Sequence, residues 1–198
     1  MFPFRPPFSQ PTEILNYSNF LNTKEISLLA KSLRNIPYTG GALADDDIVE
    51  GKNDDNIRKS RIKWIPFDNK FDWIYSKIMG RIHKSNSYIY NFNLEAVIEQ
   101  IQYTEYYGKN KGHYTWHIDL GKGTSSHRKL STSIQLSSPD EYEGGELEIY
   151  PGGETPLSMP KELGMMTIFP SYLLHRVAPV KKGIRRSLVL WVGGCQFK

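Results

Sequence analysis

Tyr114-Thr115-Trp116-His117-Ile118-Asp119 sets a histidine and an aspartate two residues apart among aromatic neighbours. In an extended strand, residues i and i+2 point to the same face, so His117 and Asp119 can aim an imidazole nitrogen and a carboxylate oxygen at one ion. That is two thirds of a two-histidine, one-carboxylate facial triad, the donor set that leaves three positions open on non-haem Fe(II). Such a site needs a third ligand, and a group to hold whatever fills the open positions.

Five histidines are available: His83, His113, His117, His127 and His175. A third ligand has to come from another β element. His175 stands in Phe169-Pro170-Ser171-Tyr172-Leu173-Leu174-His175-Arg176-Val177, which reads as a strand, a turn and a new strand. His113, four before His117, would share its face only on a helix, and the intervening Tyr114-Thr115-Trp116 favours a strand. His113 and His127 read as loop residues, and His83 as a surface or cap histidine at a helix end. Ten residues after His175, Arg185 opens the strand-like run Arg185-Arg186-Ser187-Leu188-Val189-Leu190-Trp191. An arginine fork inside a β-barrel is costly unless it meets an anion, and it pairs with a carboxylate through two parallel hydrogen bonds. A dicarboxylate that chelates the metal at one end would supply that partner at the other. A zinc hydrolase on the same three ligands would not need Arg185, and no general base stands at motif spacing. A non-catalytic jelly roll that holds a metal with a sugar or peptide has no use for Arg185 either.

Outward from this centre, the C-terminal half reads mainly as strands: Ala96 to Tyr107, Tyr114 to Leu120, Lys129 to Ser137, Glu146 to Tyr150, Gly164 to Phe169, His175 to Val177, and Arg185 to Val192. Turn residues such as Ser138-Pro139-Asp140, Pro151-Gly152-Gly153 and Lys182-Gly183 separate them, the pattern of a sandwich or jelly roll. The N-terminal half reads as scaffold. Glu13 to Tyr17 is a short strand, and Asn22-Thr23 caps a helix through about Leu33 whose Ile26, Leu29, Ala30 and Leu33 share one face. Arg61 to Pro66 is a strand closed by proline. Phe71 to about Ser85 is a second helix that buries Trp73, Ile74, Ile78 and Ile82. From Thr39 to Lys59 the composition turns to Gly40-Gly41, Asp45-Asp46-Asp47 and Asn53-Asp54-Asp55, which suits a mobile lid, although charge clusters of this kind also serve as plain solvated surface.

The chain of 198 residues, 39% hydrophobic and 13% aromatic, can bury a sizeable core, and one domain is expected over 1–198. Helical support is expected at about 20–85 and a jelly-roll core at about 94–193. No window approaches eighteen uninterrupted apolar residues, and the opening Met1 to Pro7 lacks the apolar run of a signal peptide, so a cytoplasmic protein with no membrane partner is expected. The single cysteine, Cys195, can form no intrachain disulfide, which is compatible with a reducing compartment. The net charge of +4 is concentrated at Lys181-Lys182-Gly183-Ile184-Arg185-Arg186. Lys181 and Lys182 read as a solvated face, and no nucleic-acid partner is expected.

The ordered set Tyr106, His117-Ile118-Asp119, Gly144-Gly145-Glu146-Leu147, Phe169-Pro170-Ser171, His175-Arg176-Val177-Ala178-Pro179-Val180, Gly183 and Arg185 resembles the Fe(II)/2-oxoglutarate-dependent dioxygenases. It is most similar to their prolyl 4-hydroxylase-like branch, including its bacterial and viral members. The close match covers about residues 97 to 193, and Arg58 to Trp64 also resembles a strand that these enzymes place before their second helix. The resemblance implies a double-stranded β-helix, the jelly-roll barrel, with N-terminal α-helices on its outer face. It implies iron binding by His117, Asp119 and His175, and 2-oxoglutarate binding through Arg185 with Tyr106. Gln135 stands where some relatives place another tyrosine on the central strand, and belongs with this cosubstrate group. Arg128 and Trp191 match positions on the substrate side; Tyr106 and Trp191 also suit plain core aromatics. The implied cofactors are Fe(II), 2-oxoglutarate and O2, with ascorbate as an optional addition. The implied reaction is hydroxylation of an unactivated C–H bond, at a prolyl residue of a peptide or protein. The same chemistry on a lysyl side chain, a nucleobase or a free amino acid is the alternative.

Overall fold

The computed structural model describes residues 11–40, 55–97 and 99–195. In chain order the elements are β1 (Leu15–Tyr17), α1 (Thr23–Ser32), β2 (Thr39–Gly40), β3 (Arg58–Lys59), β4 (Arg61–Ile65), α2 (Asp72–Ser85), β5 (Leu94–Ala96), β6 (Ile101–Tyr107) and β7 (His113–His117). They continue with β8 (Arg128–Gln135), β9 (Tyr142–Gly144), β10 (Leu147–Tyr150), β11 (Leu157–Ser158), β12 (Met166–Pro170), β13 (Leu174–Val177) and β14 (Val180–Gly194). Of the expected lid, residues 41–54 lie outside the described residues. Its two ends are strands: β2 pairs with β4, and β3 pairs with β7.

Two antiparallel sheets face each other. The larger runs β1-β12-β8-β14-β6-β4-β2, with β5 and β9 also on β14; the smaller runs β11-β10-β13-β7-β3. The fold is a double-stranded β-helix, as expected. Alternation along β14 shows how one strand serves two layers: Leu188, Leu190 and Val192 point to the helices, while Arg185, Ser187, Val189 and Trp191 point into the space between the sheets. The helices cover only the outer face of the larger sheet, where Leu29, Leu33, Ile74, Ile78 and Ile82 join Ile101, Leu130, Ile134 and Ile168 in one core. Trp73, expected inside, is only partly buried at the edge of that core. α1 starts where capping chemistry directs: Asn22 accepts from the Glu25 amide at 3.0 Å, and the Glu25 carboxylate accepts from the Asn22 amide at 2.9 Å. Among the described residues, no helix is long and apolar enough to cross a membrane.

Two further sequence expectations change. Lys182-Gly183 is no turn between strands but lies inside β14, where the register against β9 shifts between Val180 and Lys182. Gly183 holds φ +69° there, and a Cβ would lie 1.9 Å from the Glu141 carbonyl oxygen, so only glycine fits. The strand expected to run to Leu120 stops at His117. The reason is a competing acceptor: the amides of Asp119 and Leu120 both donate to Ser171 O at 2.9 Å, in the turn between β12 and β13.

Candidate functional site

His117 and His175 are direct cross-strand neighbours on β7 and β13. Asp119 sits just past the end of β7, and the donor atoms of the three residues all lie within 4.8 Å of one another. Nε2 of His117 is 3.7 Å from Asp119 Oδ1, and Nε2 of His175 is 3.4 Å from Asp119 Oδ2. Each imidazole is aimed by its other nitrogen. His117 Nδ1 bonds Thr115 O at 2.7 Å and His175 Nδ1 bonds Leu173 O at 2.9 Å. With Nδ1 as the donor to a carbonyl, the Nε2 lone pair is left for an ion. Asp119 Oδ2 accepts from Ser131 Oγ at 2.7 Å, and Ser131 Oγ is 2.9 Å from Ser171 Oγ, so the carboxylate is oriented too. Tyr114 stacks on His117 with ring centroids 3.5 Å apart, and Arg58, its cross-strand partner, lies 4.7 Å over the Tyr114 ring.

The electrostatics suit a cation. Burial, then the positive field of His175, pushes His117 down to about 3, so its ring is neutral. Burial opposes the charge on Asp119, but His175, His117 and Arg128 outweigh it and hold the carboxyl ionised. Burial likewise opposes protonation of His175, which Asp119 more than offsets. Two imidazoles whose Nε2 atoms face one buried, pre-oriented carboxylate are the donor set that Fe(II) takes in a facial triad, once the metal displaces the proton that Asp119 holds on His175.

This set opens into a cavity of about 220 Å³ between the sheets. Arg185 reaches the cavity from β14 and is buried. Its Nη1 donates to Ser187 Oγ at 3.2 Å. Arg128, Arg176 and Arg186 each contact a glutamate, whereas Arg185 has no carboxylate partner among the described residues. Tyr106 is its cross-strand neighbour on β6, with the ring centroid 5.6 Å from Arg185 Cζ.

The other expected residues divide. Arg128 and Trp191 line the same cavity. The Arg128 guanidinium forms a two-pronged pair with Glu99, donates to Asp119 O at 3.2 Å, and lies 3.9 Å over the Trp191 ring. Trp191 Nε1 is the one buried side-chain polar atom with no partner among the described residues. Gln135 does not line this cavity: its Nε2 donates to the Tyr142 hydroxyl in a smaller cavity on the far side of Arg185. His127 is a turn residue, as expected, but His113 is the first residue of β7, its ring bonding Lys111 O at 2.8 Å and Asn56 O at 3.2 Å. Sequence reasoning passed over Tyr142, Ser131, Glu99 and Trp64. Tyr142 stands two residues before the Gly144-Gly145-Glu146-Leu147 motif, but nothing local ties its phenol to Arg185.

Fold and site together define a double-stranded β-helix protein with a buried two-histidine, one-carboxylate centre. Residues 101–193 match the model of the 2OG-Fe(II) oxygenase superfamily. The chain is 36% identical over 121 residues to a PKHD-type hydroxylase of Prochlorococcus marinus, covering 61% of this chain and 51% of that one. It is 45% identical over 83 residues to a PKHD-type hydroxylase of Hyphomonas neptunium, covering 40% of this chain and 37% of that one. The chain thus spans about half the length of the first of these relatives, and less of the second. Among solved structures, a Trichoplax adhaerens prolyl hydroxylase in complex with a hypoxia inducible factor peptide fragment superposes with a TM-score of 0.72, at 20% identity over 91% of this chain and 83% of that one. A Pseudomonas putida prolyl-4-hydroxylase gives 0.69 at 18% identity, over 92% and 93%. At these identities the likeness establishes a shared fold.

Proposed function

We propose that this chain is an Fe(II)- and 2-oxoglutarate-dependent hydroxylase that acts on a prolyl residue of a peptide or protein. On this reading His117, Asp119 and His175 hold the metal, and Arg185 with Tyr106 anchors the distal carboxylate of 2-oxoglutarate. The bound iron, 2-oxoglutarate and O2 supply the oxidising chemistry, in which one oxygen atom enters the C–H bond and 2-oxoglutarate leaves as succinate and CO2. The chain's own residues bind, orient and exclude. Thr115 O and Leu173 O fix the imidazoles, and Ser131 fixes the carboxylate.

The observation that carries the reading is a buried, carboxylate-free Arg185 opening on the same cavity as the three-donor set. A buried guanidinium without an anion is expensive, so the cavity is built to receive one. The peptide part of the proposal draws on the cavity's other wall. Trp64 and Trp191, 6.5 Å apart, offer apolar ring faces that suit a pyrrolidine ring. The names of the PKHD-type hydroxylase relatives and the prolyl hydroxylase neighbours support the same choice.

The test is mass spectrometry of proline-rich peptides after incubation with the chain, Fe(II) and 2-oxoglutarate, alongside a succinate assay. The expected result is a gain of one oxygen on proline with stoichiometric succinate. Succinate without any modified proline would refute the prolyl substrate, and absence of succinate would refute the cosubstrate.

A further inference from the structure

Arg185 forms a wall shared by two cavities. The larger faces the three-donor set, and a smaller one behind it is lined by Gln135, Tyr142, Gly145 and Lys161. Tyr142 is buried on β9, a strand held to β14 by the pairing of Tyr142 with Gly183. Its hydroxyl accepts from Gln135 Nε2, its ring lines the same small cavity as Arg185, and both flank Gly145. A hydroxyl has one proton and two lone pairs. With Gln135 donating to the oxygen, a second lone pair remains for the Arg185 guanidinium that shares the cavity. Burial raises the phenol's pKa, so Tyr142 remains a neutral donor at physiological pH.

The backbone around Tyr142 is built for this approach. Gly145 holds φ +64°, and a Cβ there would come 2.8 Å from Val180 Cγ2 and 3.1 Å from Arg185 Cδ. The chain closes on the arginine stem because that position has no side chain. On the other side of the ring, Lys161 Nζ lies 4.4 Å over Tyr142 and donates to Gly144 O at 2.9 Å, pinning strand and ring together.

We infer that Tyr142 is a positioning residue for the cosubstrate: with Gln135 it fixes the Arg185 fork from behind and makes the far end of the cavity a receptor for a carboxylate. The inference rests on the reading of Arg185 proposed above. It also explains why a glutamine on β8 is compatible with that reading, since the hydroxyl arrives from β9 instead.

Two variants test it. Tyr142→Phe keeps the packing and deletes the hydroxyl, and Gln135→Glu sets a competing carboxylate beside Arg185. Binding of 2-oxoglutarate to the Mn(II)-loaded chain is measured by calorimetry, and KM and kcat are measured with Fe(II) and the proline-rich peptide. Tyr142→Phe is expected to weaken 2-oxoglutarate binding and raise its KM about tenfold, while kcat at saturation and the peptide KM stay within about twofold, as for a hydrogen bond made only through Arg185. Gln135→Glu is expected to weaken cosubstrate binding further, because the guanidinium is then neutralised internally. Unchanged 2-oxoglutarate affinity in Tyr142→Phe overturns the inference, as does a parallel loss of kcat and peptide affinity, the mark of a merely structural residue. If Tyr142→Phe does not fold, Gln135→Glu decides alone, wild-type affinity counting against. A wild type that binds 2-oxoglutarate but makes no succinate defeats the functional reading instead, and the calorimetric comparison still decides the role of Tyr142.

Discussion

His117 and His175 reach the same pose by the same device, an Nδ1 bonded to the carbonyl two residues earlier in the chain. The pose is therefore local to each strand, and removing either ring should leave the fold intact while deleting one donor. His117→Ala and His175→Ala are each expected to abolish 2-oxoglutarate turnover with Fe(II) while circular dichroism stays native; normal succinate production by either would remove the residue from the metal site. Arg185 makes a different kind of contribution. Arg185→Ala is expected to raise the KM for 2-oxoglutarate about a hundredfold, the scale of a two-pronged charge-assisted pair, whereas exposed Lys181→Ala should leave it unchanged. Equal effects on the measured KM would mean that the wrong cation was chosen. His117, Asp119, His175 and Arg185 were legible because each lies in a short local pattern whose spacing has a chemical meaning. Tyr142 was not, since its relevance arises only when β9 lies against β14 and brings a phenol to an arginine more than forty residues away.

At the scale of elements, the centre depends on where strands stop as much as on where they run. β7 ends at His117 because Ser171 captures the next amides, so Asp119 is held by a turn from another part of the chain rather than by its own ladder. Periodicity could place the two ligands on one side but could not show that interruption, which needs a partner 52 residues on. The same holds for β14, longer than its apolar run suggested because it begins at Val180, bulges between Val180 and Lys182, and carries Gly183 within the ladder. Gly183→Ala forces a Cβ to within 1.9 Å of Glu141 O at φ +69°. It should cost at least about 1–3 kcal/mol of stability, the usual penalty for a side chain in a strained conformation, and loosen β9 with Tyr142 on it. Thermal denaturation measures the first effect and the 2-oxoglutarate KM the second; a variant with wild-type melting would mean that β9 is not pinned through Gly183.

Over the whole molecule, the three donors belong to the smaller sheet and its connecting loop, while Arg185 and Tyr106 belong to the larger, so a ligand that spans the cavity ties the two sheets together. Metal with 2-oxoglutarate should therefore stabilise the folded chain by linkage, about 2.7 kcal/mol at a hundredfold excess over Kd, or roughly 5–10 °C in a domain of this size. A chelator should reverse the shift, and His175→Ala should show none of it; a melting temperature indifferent to Mn(II) and 2-oxoglutarate would count against the bridging role. The opposite face of the larger sheet carries a charge that the site does not use. Glu105 is buried on β6, accepts from Tyr103 Oη at 2.8 Å, from Tyr107 and from Arg186 Nε at 3.3 Å, and has Tyr38, just before β2, within reach. Burial alone would raise its pKa, but these donors together hold it below the ordinary 4.5. A carboxyl whose folded pKa is depressed contributes stability that is complete above its unfolded value and is lost as pH falls through the folded value. Acid should therefore loosen the sheet edge where β2, β4, β6 and β14 meet, in the window below about 4.5. Melting temperatures followed from pH 6 to pH 3 should fall more steeply for the wild type than for Glu105→Gln, which keeps most of the packing and has no proton to take up; parallel slopes would show that the carboxylate and its tyrosines contribute nothing to acid sensitivity.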